Sequence, residues 1–383
     1  MKKILFITHV GEPGGAEHVM VRLCEPLKAT SEVMLFQNGS LEDILQDKGV
    51  PVSVCSMPSN MQKFKKEDGL LGLFKAIPAT LSMVKSVVRT GKRFDIIVCM
   101  SQKSFILASL AKPFSRKPII WCMNDILSKE HFSGLLIRLL ITISKYSANH
   151  IVLNSQASLD AWNEAGGQKN ITVMYPGSDV AEFDKQRQDK ETIQAYKEQF
   201  SPEGKPLIGI FGRISPWKGQ DVFLKAIARV EGARAVIVGG ALFGEEAHET
   251  SLKALAKELG IEDRVTFVGH VSDVAKVMAA CDVVTHCSTS PEPFGLVIVE
   301  AMLSHVPVVA TDAGGAKEIV IHNETGQLTP VSDVSALAEA IHKYLDNPDW
   351  TLELVESARK RAVERFSSDT MNDVFVKILN NNE

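Results

Sequence analysis

The sequence predicts an α/β protein built as two doubly wound domains, each a parallel sheet covered by helices on both faces. Three observations carry that prediction. Short β-branched apolar runs alternate with longer helix-like segments along the chain. A polar stretch interrupts the alternation once, near the middle. The 383 residues, 45% of them hydrophobic, supply material for two cores.

In the first half, strands are expected at Ile4–Thr8, Val33–Phe36, Val52–Cys55, Ile96–Cys99, Ile119–Trp121 and His150–Leu153. In the second half they are expected at Leu207–Phe211, Ala235–Val238, Val265–Val268, Val283–His286 and Val306–Ala310. Between the two series, roughly Tyr175–Pro206 opens with Tyr175-Pro176-Gly177 and is crowded with Asp, Glu, Lys and Gln, the pattern of an interdomain connection. One continuous sheet would leave that stretch unexplained. Domains are therefore expected over 1–183 and 184–361. Ala362–Leu379 reads as a helix, with Phe366, Met371, Val374, Phe375 and Ile378 at spacings near 3 and 4.

Composition excludes disordered and fibrous classes. The net charge of -4 divides unevenly: Met1–Tyr175 carries 21 Lys and Arg against 14 Asp and Glu, and the remainder 21 against 32. Such asymmetry marks different partners for the two parts. No apolar run approaches the ~18 residues of a membrane span; Leu135–Ile143 is short and carries Arg138. Ile4-Leu5-Phe6-Ile7 is cut short by Thr8 and His9, so it reads as a buried strand rather than a signal segment. Six irregularly spaced cysteines without Cys-x-x-Cys point to reduced core thiols and a cytoplasmic setting.

The most informative segment is Ser290-Pro291-Glu292-Pro293-Phe294-Gly295-Leu296-Val297-Ile298-Val299-Glu300. It follows the strand Val283–His286, at the carboxyl end of a parallel strand, where open α/β sheets bind ligands. A helix starting at Leu296 would point its first amides at the ligand and suit a phosphate. Glu292 in the loop and Glu300 in the second turn then offer two carboxylates to different parts of a polyhydroxylated molecule. Partnering the helix dipole is the ordinary role of such an acid; the Pro-x-Pro-Phe-Gly context favours the ligand.

Upstream, Gly212-Arg213-Ile214-Ser215-Pro216-Trp217-Lys218-Gly219 leaves the first strand of the second domain. Its two cations can converge on a diphosphate, Arg213 through its planar fork and Lys218 as a point charge; a solvated pair is the alternative. In the first domain, Gly14 and Gly15 follow the first strand, in a turn open to close approach by a backbone or phosphate. The chain has no Asp-x-Asp, no His or Cys cluster at metal-ligand spacing and no Gly-x-Ser-x-Gly elbow.

Over nearly its whole length the sequence resembles the retaining GT-B glycosyltransferases of the large family four. The resemblance rests on Gly14-Gly15-Ala16-Glu17, on Gly212-Arg213 with Lys218-Gly219, and on Glu292 and Glu300 with seven residues between them. It also rests on Pro307-Val308-Val309-Ala310-Thr311 followed by Gly314-Gly315 and Glu318-Ile319-Val320. It implies a GT-B fold, two facing Rossmann-like domains with a deep interdomain cleft, with the final helix, 362–383, returning to the first. By the same resemblance Arg213 and Lys218 clamp the donor diphosphate and Glu300 binds the ribose hydroxyls. Glu292 binds donor-sugar hydroxyls beside the amides of Phe294, Gly295, Leu296 and Val297. Gly14 and Gly15 let the donor lie against the first domain, and His270 and Val271 lie where the family reads the base through backbone groups. No metal and no cofactor is implied; the nucleotide sugar is a substrate.

One departure concerns Trp121-Cys122-Met123-Asn124-Asp125, where family members often carry histidine. Asn124 can position a sugar hydroxyl but cannot act as a titrating base; a plain turn residue is the other reading. His9, ending the first strand, either faces the acceptor or is an ordinary strand-end residue.

The reading is a retaining hexosyltransferase, moving glucose from UDP-glucose onto a saccharide or lipid-linked acceptor in polysaccharide biosynthesis. Two others stay open: a GT-B sugar-nucleotide epimerase, and a nucleotide-sugar-binding protein without transfer activity, suggested by Cys122 and Asn124. Between Lys63 and Arg93, eight basic residues stand against Glu67 and Asp68, interleaved with Phe64, Leu70, Leu71, Leu73, Phe74 and Ile77. That pattern predicts peripheral contact with an anionic membrane, at its cytoplasmic face, or a solvated helix over core residues. Nucleic acid is not expected as a partner, since no stacking motif accompanies the charge.

Overall fold

The computed structural model describes residues 2–55, 69–129, 131–168, 170–241 and 244–381, and for 69–77 the backbone alone. The chain divides into two compact units, Met1–Gly177 with Met371–Glu383, and Ser178–Thr370.

The first unit holds β1 (Ile4–Thr8), β2 (Ser31–Leu35), β3 (Val52–Val54), β4 (Ile96–Cys99), β5 (Ile119–Met123), β6 (His150–Leu153) and β7 (Ile171–Val173). They form one parallel sheet in the order β3-β2-β1-β4-β5-β6-β7. Every residue of β1 and β5 is buried, as befits central strands of a sheet covered on both faces. The second unit holds β8 (Leu207–Phe211), β9 (Arg234–Val238), β10 (Val265–Gly269), β11 (Val283–His286), β12 (Val308–Thr311) and β13 (Gln327–Thr329). These are parallel too, in the order β10-β9-β8-β11-β12-β13. In each sheet the order reverses beside the first strand, between β1 and β4 and between β8 and β11. There the loops at the carboxyl ends part and leave room for a ligand.

Three features differ from expectation. The strands β7 and β13 were not anticipated: each has three residues at a sheet edge, and Gln327-Leu328-Thr329 offers no apolar run. The polar stretch after Gly177 is not a connection for most of its length. It folds as helices Val180–Gln188 and Lys190–Phe200, N-capped by the side chains of Asp179 and Asp189. Their charges have partners in the second unit, Lys197 with Asp282 at 2.5 Å, Asp189 with Lys276 at 2.7 Å and Asp184 with Arg359 at 2.6 Å, while Phe183 and Phe200 are buried. The expected helix over Ala362–Leu379 is two helices, Pro348–Phe366 and Ser368–Asn381. At the break the Ser178 amide donates to the Phe366 carbonyl and the Ser368 amide to the Ser178 carbonyl, both at 2.9 Å. The end of the chain packs on the first unit, with Phe375 5.8 Å from Phe6 and the Lys2 ammonium 2.9 Å from the Leu379 carbonyl.

Among the described residues no helix is long and apolar enough to cross a membrane. Of the basic run, Lys63, Lys65 and Lys66, with Phe64, lie outside the described residues, as do the side chains of Lys75 and its apolar neighbours up to Ile77. Lys85, Arg89 and Lys92 are exposed, and Arg93 pairs with Glu32 at 3.1 Å.

Candidate functional site

The loops after β8 and β11 leave adjacent strands and are tied together where the Thr289 amide donates to the Trp217 carbonyl at 2.8 Å. In the β8 loop, Pro216–Lys218 forms a short 3-10 turn that presents Trp217 between two cations. The Lys218 ammonium lies 4.3 Å from the ring centroid and the Arg213 guanidinium 5.9 Å, both within cation–π range.

From β11 the chain turns back so that Glu292 meets the strand's last residue. One carboxylate oxygen of Glu292 accepts from the Lys218 ammonium at 2.6 Å. The other lies 2.6 Å from His286 Nε2 and accepts from the Ser288 hydroxyl at 2.7 Å. An ionised carboxylate only accepts, so His286 carries a proton on Nε2; its Nδ1 is buried without a hydrogen-bond partner among the described residues. Side-chain exposure is 12% for Glu292, 16% for Lys218 and 5% for His286. Burial works against the charge on Glu292, but the Lys218 ammonium and His286 outweigh it and hold the carboxyl well below its ordinary range. The result is a fixed anion with a small open face, able to accept hydrogen bonds from hydroxyl groups.

The backbone of Glu292 is held from the loop after β12. The Gly315 amide donates to the Glu292 carbonyl at 2.8 Å. Gly314 has φ +57°, and a Cβ there would stand 2.3 Å from the Glu292 carbonyl oxygen. Gly314→Ala therefore meets both a left-handed backbone and a backbone clash, and is expected to cost about 2 kcal/mol or more. The melting temperature should fall by about 6 °C; an unchanged melting curve would show that the loop does not pack on Glu292.

Gly295, at φ +112°, starts the helix Leu296–Leu303. Ile298, Val299, Ala301 and Met302 are buried, whereas Leu296, Val297 and Glu300 form its partly open stripe. Glu300 therefore lies on the same side of the helix as Leu296 and Val297, and the Ile298 amide is taken by the Gly295 carbonyl at 2.9 Å. Phe294 is buried and its ring lies 5.6 Å from Phe366, so its side chain is taken up by packing.

Lys218 and Glu292 are thus in direct contact, and Arg213 shares the Trp217 ring with Lys218. His270 and Val271 are not in this group: they follow β10, at the sheet edge two strands from β8, and His270 is exposed. In the first unit Gly14 and Gly15 are exposed at the start of helix Gly15–Cys24. The Gly14 amide donates to Glu17 at 3.1 Å, and burial raises the Glu17 carboxyl. Asn124 is engaged by the fold: its Nδ2 donates to the Met100 carbonyl at 3.1 Å and its own carbonyl accepts from Asn154 at 3.0 Å. Burial, and then Lys103, lower His9 to about 4, so its imidazole is neutral at pH 7.

His286 and Ser288 are site residues that sequence reasoning did not single out. The signal was His-x-Ser-x-x-x-Glu across a strand end, where residues two apart point to one side. Among the described residues no cluster of three or more His, Cys, Asp or Glu side chains could hold a metal ion.

The family model described as glycosyl transferases group 1 matches residues 192–363, which include both loops. The crystal structure of Anabaena Alr3699/HepE in complex with UDP-glucose is 34% identical, with a TM-score of 0.90 over 99% of this chain and 100% of that one. The D-inositol 3-phosphate glycosyltransferase of Mycolicibacterium smegmatis is 36% identical over 182 residues, 47% of this chain and 41% of the relative. The GDP-mannose-dependent alpha-(1-6)-phosphatidylinositol monomannoside mannosyltransferase of Mycobacterium tuberculosis is 30% identical over 218 residues, 54% of each chain. The chain spans about half the length of these curated relatives.

Proposed function

Because the chain belongs to the glycosyl transferases group 1 family, we propose that it is a hexosyltransferase that moves glucose from UDP-glucose onto a saccharide or lipid-linked acceptor. The setting is polysaccharide assembly, with peripheral contact at an anionic membrane. The observation that carries the reading is the half-buried, ionised Glu292 between Lys218 and His286, on a loop beside a helix start. Full-length likeness to a protein solved with UDP-glucose supports the donor. A relative named for GDP-mannose supports a second donor, over about half the chain.

In the reaction the bond between the anomeric carbon and the diphosphate oxygen breaks, and an acceptor hydroxyl oxygen takes its place with retention while its proton passes to the departing diphosphate. Negative charge collects on the departing diphosphate, where Arg213, Lys218 and the amides around Gly295 and Leu296 would stabilise it. Glu292 accepts hydrogen bonds from sugar hydroxyls and stays charged as the anomeric carbon becomes positive; Glu300 accepts from the ribose. His286 and Ser288 hold the Glu292 carboxylate in place. Asn124, Gly14 and Gly15 are assigned to the sugar and acceptor side, and His270 and Val271 to the base. No cofactor takes part.

The test is incubation with UDP-glucose, other UDP-sugars, GDP-mannose and ADP-glucose, with and without membrane extract, following nucleotide release and sugar identity. Extract-dependent UDP release from UDP-glucose is expected. Isomerised donor would indicate an epimerase, release from GDP-mannose alone would change the donor, and saturable binding without turnover would overturn the transfer reading.

A further inference from the structure

The helices Gly69–Gly91, Gln102–Ser115 and Gly134–Ser147 connect β3 to β4, β4 to β5 and β5 to β6, successive steps in one direction across the first sheet. Right-handed crossovers put all three on the same face. They share one core, to which they contribute Met83 and Val87, Phe105 and Ala108, and Leu140. Lys112 ties the second to the end of the third, donating to the Ser147 carbonyl at 2.7 Å.

The outer side of this layer is unusual in two respects. Large apolar side chains stand in solvent on all three helices: Leu81 at 62% exposure, Leu110 at 50%, Phe114 at 67%, Leu135 at 81%, Leu139 at 48% and Tyr146 at 74%. On the third helix, Leu135, Arg138, Leu139, Thr142, Lys145 and Tyr146 form one exposed stripe at helical spacing. The charge is one-sided as well: from Gly69 to Leu159 twelve Lys and Arg stand against three acids, Asp95, Asp125 and Glu130, and none of the three helices carries an acid. A soluble surface rarely gathers exposed apolar side chains in this way. Cations interleaved with them fit the boundary between anionic headgroups and acyl chains, where the apolar side chains enter and Lys and Arg reach phosphates.

We propose that this three-helix face docks the chain on an anionic lipid bilayer, with Phe114, Leu135 and Leu139 entering the surface and Lys85, Arg89, Arg138 and Lys145 on the headgroups. This moves the contact from the basic run alone to a surface centred on the second and third helices. It rests on the transfer reading only for its purpose, access to a lipid-linked acceptor.

The test is co-sedimentation of the full chain with phosphatidylglycerol and with phosphatidylcholine vesicles, without donor. Binding to the anionic vesicles that weakens in high salt is expected. Arg138→Ser with Lys145→Ser should weaken it about 30-fold, at roughly fivefold for each cation. Phe114→Glu with Leu135→Glu should abolish it with the melting temperature unchanged, since both side chains are largely in solvent. Equal pelleting with neutral vesicles, no binding to either, or full binding by the double Glu variant would overturn the proposal. So would a wild-type dimer that the double Glu variant breaks while vesicle binding stays intact. Vesicle binding is read without turnover, so a chain that docks but transfers no sugar fails the transfer reading alone.

Discussion

Replacing Glu292 by Gln is expected to lower kcat/KM for UDP-glucose by about 100- to 1000-fold, the range seen when one preorganised electrostatic contact is removed. Gln keeps the shape and loses the charge. Its NH2 group would also face a donor, since Lys218 lies at one carboxylate oxygen of Glu292 and His286 and Ser288 at the other. A donor set against a donor loses the hydrogen bond and leaves a partly buried ammonium without its counter-ion. UDP alone should bind the variant nearly as well as the wild type, because Glu292 is assigned to the sugar; the loss should therefore fall mainly on kcat. Transfer within threefold of wild type would remove Glu292 from the site.

Lys218→Ala should be nearly as damaging, and for two reasons that can be separated. The first is loss of a cation beside the departing diphosphate, which should weaken UDP binding as well as turnover. The second acts through Glu292. Burial raises that carboxyl's pKa and Lys218 is the foremost group lowering it, so removing Lys218 moves the pKa upward. In the wild type the carboxyl is held well below its ordinary range, and transfer loses nothing to its protonation as pH falls toward 5. In the variant, the acid limb of the kcat/KM profile should lie at higher pH. Lys218→Arg should restore the wild-type limb to a greater extent than it restores turnover, since the charge returns with a different shape. An Ala variant whose acid limb coincides with that of the wild type would contradict the coupling between the two residues.

Much of this was legible because its causes are local. Buried parallel strands such as Ile4–Thr8 and Leu207–Phe211 are continuous apolar runs and read directly as strands. Arg213, Lys218 and Glu292 stand out in the sequence because they lie in glycine- and proline-bearing loops at strand ends, and Glu300 because it follows one of those loops in the next helix. The rest depended on contacts that spacing does not encode. The helices at Val180–Gln188 and Lys190–Phe200 looked like a linker because their charges are satisfied by Arg359, Lys276 and Asp282, far along the chain. The helix break at Ser367 follows from backbone hydrogen bonds to Ser178, which no periodicity reports. His286 passed for a strand-end residue because its partner, Glu292, reaches it through a turn. The pairing of Lys218 with Glu292, two residues first read in separate roles, is likewise tertiary.

The family places the fold, and the chemistry turns on which donor atoms meet Glu292. The most direct measurement is a crystal structure of the chain with UDP-glucose bound. A glucose hydroxyl is expected within hydrogen-bond distance of the Glu292 carboxylate, with ribose hydroxyls at Glu300 and the diphosphate against Arg213, Lys218 and the start of helix Leu296–Leu303. A bound donor whose sugar lies away from Glu292, with His286 and Lys218 still on its carboxylate and no hydroxyl at it, would remove Glu292 from sugar binding.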